Sequence, residues 1–518
     1  MKTKLTKINL FIVLTISILA ISSCNKELTE RNEQFPQLNP TNPDLNAGLW
    51  KTYLLTAPDE FAVDVPAATN SASYVSEINE IKSYQTNITV AQHQLKDYWS
   101  AGSVVRWNEI MRTLVAKHNL PPYQNPDGSY PIPSSTNPFA NPQFPFSNPP
   151  YAARAFAYVS AAQYDALVAA WHFKKIYNRP APYTVDASIM SLVPRSVLPS
   201  YPSEDAVLAG VTVEMLKLLF PTDVPFINEK AEEEKLYRII AGANVRSDIE
   251  AGFALGKKVA AKFVTRAKTD GAGAAVGNAT LWNALQTNTE ATGEMAWKSL
   301  DMPARPPMLP LFGNVKSFLM TPANVVASRP VPPPSTHSAQ FAAELAEVKY
   351  FATNATREQM KIVSFWADGV GTYTPPGHWN AIAAETFVPQ NYSEIRWARN
   401  MALLNISLMD AAISCWDAKY FYFNPRPSQV DPSIKTLTGI PNFPAYVSGH
   451  STFSGAAATI LGHIVPQKAQ DFQNMAKDAS NSRLFGAIHY RSDCEKGLLL
   501  GETVGHFAVV RATTDGAE

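Results

Sequence analysis

From Tyr151 onward apolar residues recur at helical spacing, and no stretch alternates apolar and polar positions for long enough to read as a strand. The same periodicity starts earlier, from about Val90 to His118, where Tyr98, Trp107, Ile110, Met111 and Leu114 share the pattern. It resumes from Ser338 to Phe351, from Arg357 to Trp366, from about Glu394 to Phe421, and from Ser448 to about Ile464. A last helix is expected from about Leu484 toward Arg511, carrying His489 and Asp493. Residues 121 to 150, crowded with Pro, Asn, Ser and Phe, read as a long loop wrapped on the surface or acting as a lid. Residues 272 to 337, with prolines such as Pro303, Pro306, Pro307 and Pro310, read as irregular. The predicted class is all-α, built as two related helical bundles.

The two bundles are read from a repeat. Asp165 and Asp410, Trp171 and Trp416, Lys174 and Lys419, Ser203 and Ser448, Arg238 and Arg483, and Asp248 and Asp493 all stand 245 positions apart. One register held that long without a net gap is the mark of a duplicated unit, with one copy at about 151–275 and the other at about 394–518. The first copy has Ala181 opposite Arg426, Glu204-Asp205 opposite Gly449-His450, and Asn244 opposite His489. Two carboxylates at that place repel an anion, so one live site per chain is expected, with Lys174, Arg238 and Asp248 in structural ion pairs.

The second copy concentrates the chemistry. Lys419, Arg426 and Arg483 can neutralise a multiply charged anion, and arginine adds a planar fork of donors. Ser448 and the Gly449 amide add neutral donors, and a glycine lets a ligand approach the backbone. If their segment is helical, His489 and Asp493 share a face, the carboxylate fixing the tautomer of the imidazole. His450 is then the acid and base for an entering or departing oxygen. Singly, each of these residues has an ordinary structural use; their joint order and spacing is what points to an oxyanion site.

Lys419 with Arg426-Pro427, then Val447-Ser448-Gly449-His450, then Ser482-Arg483 with His489 and Asp493 resembles the motif shared by vanadium-dependent haloperoxidases and type 2 phosphatidic acid phosphatases. Val447 stands where the family has proline, a change that touches no chemical role. The resemblance implies His489 as vanadate ligand or phosphoryl nucleophile, His450 as acid-base group, and the remaining motif residues as oxyanion donors. It implies vanadate as cofactor with hydrogen peroxide and halide as substrates, or, for a phosphatase, no cofactor and a phosphoester. Trp416 and Phe443 match aromatic positions beside the vanadate in chloroperoxidase-like members, which favours the peroxidase. The run Trp366-Ala367-Asp368-Gly369, followed by Pro375-Pro376-Gly377-His378-Trp379, resembles a passage of bacterial haloperoxidase-like proteins. By that resemblance Asp368 partners an active-site arginine, against capping a helix-terminating loop, and His378 belongs to a packed loop rather than to catalysis. A non-catalytic oxyanion-binding lipoprotein is the remaining reading, disfavoured by the intact His450, His489 and Asp493.

Charge and the chain's beginning narrow the picture further. Lys plus Arg and Asp plus Glu number 44 each, so no global field attracts nucleic acid or an acidic membrane. With 46% hydrophobic residues, the 518-residue chain can bury a large core, expected over residues 47–518. Residues 1–23 read as a secretory signal whose apolar run is too short for a comfortable transmembrane span. Small residues before Cys24 resemble a lipoprotein cleavage box, predicting a lipid anchor at Cys24, a flexible spacer over 24–46 and a place at the bacterial cell envelope. Cys415 and Cys494 leave room for one bridge, and a homodimer stays open.

Overall fold

The computed structural model describes residues 35–120, 124–129 and 148–518. The predicted signal, Cys24 and most of the 121–150 loop lie outside the described residues. The described residues from 37 to 518 fold as one unit whose only regular elements are helices. Among the described residues, no helix is long and apolar enough to cross a membrane. Its principal helices are α1 (Ala72–Thr86), α2 (Ser103–His118), α3 (Pro149–Tyr177), α4 (Glu204–Leu219), α5 (Val224–Ile240) and α6 (Arg246–Thr269). They continue with α7 (Ala339–Asn354), α8 (Thr374–Phe387), α9 (Glu394–Tyr422), α10 (Gly449–Ile464), α11 (Ala469–Phe485) and α12 (Arg491–Ala512).

Two 29-residue helices, α3 and α9, lie along each other at the centre and are buried over most of their length. Both start with a side-chain cap, Asn148 accepting from the Tyr151 amide and Ser393 from the Arg396 amide, which satisfies donors that have no partner inside the helix. Each ends on a left-handed residue, Asn178 and Phe423, so the chain turns off the axis before the proline that follows. Helices α4 and α6 pack on α3, α10 and α12 pack on α9, and α11 packs against α10 and α12. Close backbone approach sets these crossings: a Cβ at Gly501 of α12 would stand 2.2 Å from the Thr452 carbonyl of α10. The α6–α4 crossing is the same, with Gly256 2.2 Å from the Val207 carbonyl. Helix α4 begins and ends 245 residues before α10, as α5 does before α11 and α3 before α9; α6 and α12 begin 245 apart.

The structure departs from the expected elements in several places. The Val90–His118 run is two helices, Val90–Trp99 and α2, broken at Gly102, whose φ of 114° suits glycine. Residues 272–337 contain two helices, Ala279–Ala291 capped by Asn278 and Pro322–Ser328 capped by Thr321. The former buries no residue, so it lacks the apolar face that periodicity detects. Residues 37–46 pack on the body rather than acting as a free spacer: Arg396 and the Ser393 hydroxyl donate to Asp44 at 2.5 Å. Finally, α11 stops at Phe485 and α12 starts at Arg491, leaving His489 in the turn between them.

Candidate active site

Lys419, Arg426 and Arg483 are all buried, and main-chain carbonyls hold each of them. Lys419, on the last turn of α9, donates from Nζ to the Pro444 and Ala445 carbonyls at 2.8 and 3.0 Å. Asn424-Pro425 prevents the helix from continuing, and extended Arg426 (φ −76°, ψ 152°) turns inward. Its Nε donates to the Phe443 carbonyl at 3.0 Å and its Nη1 to the Ile488 carbonyl at 2.9 Å. Arg483, near the end of α11, donates from Nε to the Ser482 hydroxyl at 2.9 Å and from Nη2 to the Trp366 carbonyl at 2.6 Å.

Among the described residues, none of these three cations has a carboxylate within ion-pair distance. Carbonyls orient charge without cancelling it, and an uncompensated buried charge is costly. The protonation equilibria show that cost: burial pushes the Lys419 ammonium down to about 7 and the Arg426 and Arg483 guanidiniums down to about 10. Phe443 offsets part of it, its ring centroid lying 4.9 Å from Lys419 Nζ and 5.0 Å from Arg426 Cζ. Trp416 packs on that ring at 5.0 Å and donates from Nε1 to the Met308 carbonyl at 3.1 Å.

His489 faces this charge with a defined tautomer. Arg426 Nη1 lies 3.0 Å from His489 Nε2, and arginine can only donate, so Nε2 carries the lone pair. The proton is then on Nδ1, which donates to Asp493 Oδ2 at 2.9 Å. Burial and then the charge of Arg426 drive the His489 pKa well below its usual value, so the ring is neutral. Asp493 also accepts from the Tyr490 amide at 3.0 Å. That bond caps α12 and explains why His489 and Asp493 meet without lying on one helical face: the carboxylate reaches back over the helix start. Burial pushes the Asp493 carboxyl up to about 7.

Ser448 caps α10, its Oγ accepting from the Ser451 amide at 3.4 Å, while its own amide donates to the Asp493 carbonyl at 2.9 Å. Gly449 opens the helix, and a Cβ there would meet nothing closer than Trp416 at 3.9 Å, so the glycine leaves room on the cavity side. The α10 N-terminus adds its dipole to the surrounding positive charge. His450 Nε2 stands 3.6 Å from Asp368 Oδ2, and burial followed by the Arg483 charge pushes its pKa down to about 4.

Asp368 meets its expected arginine through charge rather than an ion pair, its carboxylate favouring the charged form of Arg483. Its Oδ1 accepts from His378 Nδ1 at 2.9 Å, placing the carboxylate between two histidines, while Arg483 bonds the Trp366 carbonyl instead. Burial raises the Asp368 pKa, but the hydrogen bond from His378 and the nearness of His450 outweigh it and hold the group down to about 2. The left-handed backbone at Asp368 (φ 46°) turns the chain there. His378 lies on α8 rather than in a loop, stacked on Trp366 with centroids 4.5 Å apart. The one sequence signal for its contact with the site is the Asp368-Gly369 turn nearby, which a packed-loop reading does not use.

Arg483, His450 and His489 line a cavity of about 340 Å³ whose other walls include Met308, Val370, Ile440, Phe443 and Phe453. Arg426 lines a second cavity of about 320 Å³ with Lys298 and Asp301. Cys415 and Cys494 are buried and free, so no bridge joins them. Clustered cations, a helix N-terminus, an open glycine and a neutral imidazole lone pair thus come together, a set of groups whose chemistry suits an anion.

Residues 400–515 match the sequence profile of the PAP2 superfamily, and that span holds every motif residue from Lys419 to Asp493. The solved structure of a bacterial vanadium-dependent iodoperoxidase shares the fold, with a TM-score of 0.53 and 24% identity over 70% of this chain and 91% of that one. A bacterial vanadium-dependent chloroperoxidase in its holo form aligns with a TM-score of 0.47 and 12% identity, covering 70% of this chain and 90% of its own. No curated protein sequence matches the chain.

Proposed function

We propose that this chain is a vanadium-dependent haloperoxidase, oxidising halide with hydrogen peroxide at an oxyanion held on His489. The observation that carries the reading is the set of three buried cations without a carboxylate partner, gathered about the His489 lone pair. Vanadate fits that set: His489 Nε2 would ligate it, and Lys419, Arg426, Arg483, Ser448 and the Gly449 amide would hold its oxygens. When bound, vanadate supplies a Lewis acid that makes peroxide electrophilic toward halide. Asp493 keeps the proton on His489 Nδ1 and so keeps Nε2 free for ligation. His450, neutral at pH 7, is the base that takes a proton from incoming peroxide and returns it to the departing oxygen. Phe443 and Trp416 form an apolar wall that keeps water from competing at the site. The expected anchor at Cys24 would place this activity at the cell envelope.

The same charges suit a phosphate monoester or diphosphate. The neutral Nε2 of His489 would then attack phosphorus, with water hydrolysing the phospho-histidine. Purified protein lacking residues 1–23 is reconstituted with orthovanadate and assayed for bromide oxidation by peroxide beside phosphoester hydrolysis. Vanadate-dependent halide oxidation supports the peroxidase. Hydrolysis that vanadate inhibits, with no halide oxidation, replaces it with the phosphatase.

A further inference from the structure

The amino-terminal half repeats the cage's framework around a different centre. Lys174 Nζ donates to the Pro199 carbonyl at 2.6 Å, as Lys419 does to Pro444, 245 positions on. Asp248 accepts from the Val245 amide at 2.9 Å, as Asp493 does from Tyr490 at 3.0 Å. The Ser203 amide donates to the Asp248 carbonyl at 3.0 Å, as Ser448 does to Asp493 at 2.9 Å. The charge balance is different. Glu204, the first residue of α4, stands where Gly449 opens α10, and its carboxylate bridges Lys174 Nζ at 2.7 Å and Arg238 Nη2 at 3.0 Å.

We propose that the amino-terminal half contains a second oxyanion cradle, closed by the Glu204 carboxylate sitting where a phosphate-sized ligand would bind. The two oxygens of Glu204 contact the counterparts of Lys419 and Arg483, which in the other half have no carboxylate. Asp205 shares only the Arg238 guanidinium with it, pairing with Nε at 3.0 Å, and otherwise accepts from the Ser103 and Tyr237 hydroxyls at 2.7 and 2.9 Å. A ligand would have room to arrive, because a cavity of about 290 Å³ is lined by Glu204, Arg238 and Ala181, the small residue opposite Arg426. Glu394, which also lines it, is held up to about 8 by burial and adds little repulsion at pH 7. With Asn244 in place of His489, donating to the Ser200 carbonyl at 2.8 Å, the cradle has no imidazole and would bind without catalysing.

Glu204→Gly, which installs the residue found at the matching place in the other half, opens the cradle. Equilibrium dialysis with labelled inorganic phosphate at constant ionic strength counts the sites. The variant is expected to bind one equivalent more than wild type, and Arg238→Met added to it should remove that equivalent. In phosphate-free buffer the variant should melt below wild type and regain stability as phosphate is added. If it does not fold without the anion, a refolding yield that rises with phosphate supports the cradle and a flat yield overturns it. An unchanged stoichiometry in folded Glu204→Gly also overturns it. The count is independent of the proposed activity: if wild type binds none, the haloperoxidase site fails while the increment of one remains.

Discussion

Asp493→Asn removes one buried negative charge while nearly preserving shape. In the native site Asp493 Oδ2 accepts from both His489 Nδ1 at 2.9 Å and the Tyr490 amide at 3.0 Å. Asparagine keeps one oxygen, enough for the Tyr490 amide that caps α12, so the helix start is retained. What it loses is the charge-assisted bond to His489, worth roughly 1.5–3 kcal/mol. If its amide group turns toward the ring instead, the imidazole takes the other tautomer and a proton on Nε2 meets the Arg426 Nη1 donor, 3.0 Å away. At about 1.4 kcal/mol per decade, oxyanion affinity should fall roughly ten- to a hundredfold. Calorimetric titration with orthovanadate measures it, and urea unfolding without vanadate reports the fold. Undiminished affinity in folded Asp493→Asn would refute the idea that this carboxylate prepares the His489 lone pair.

His450 should make the protein acid-sensitive. Its folded pKa of about 4 lies below the unfolded value near 6.5, so unfolding takes up a proton between those limits; its share of stability is complete above 6.5 and lost as pH falls toward 4. That share is about 3 kcal/mol, and urea unfolding of His450→Gln across the same range should show a correspondingly flatter loss than wild type. Gly501→Ala would put a Cβ 2.2 Å from the Thr452 carbonyl, forcing α10 from α12 at a cost of roughly 1–3 kcal/mol in urea unfolding. Because those helices carry His450 and Asp493, it should also reduce activity, whereas Gly256→Ala at the matching crossing should destabilise similarly and leave turnover per folded molecule intact.

The cage is legible in the sequence because Lys419, Arg426, Ser448, Arg483 and His489 belong to a short stretch with fixed spacing. What spacing cannot supply is the path of the backbone. Six positions from Arg483 to His489 are compatible with a helix, and the left-handed Ala487 (φ 59°) and the capping bond from Tyr490 to Asp493 reveal the break. The carbonyl that holds Arg483 comes from Trp366, more than a hundred residues earlier, and carbonyls carry no sequence signature. The motif around Asp368 marks the residue but not its neighbour, since its contact with His378 depends on how α8 is set against the turn. The helix Ala279–Ala291 escapes for the opposite reason, having no buried face to impose a period.

Everything proposed for this site requires Lys419, Arg426, Arg483 and His489 to close around one tetrahedral anion. The decisive measurement is a titration of orthovanadate into wild type, Arg426→Met and His489→Ala at constant ionic strength. One saturable equivalent in wild type, weakened at least tenfold in both variants, is the predicted result; no saturable binding in wild type, or equal affinity in all three, would contradict it.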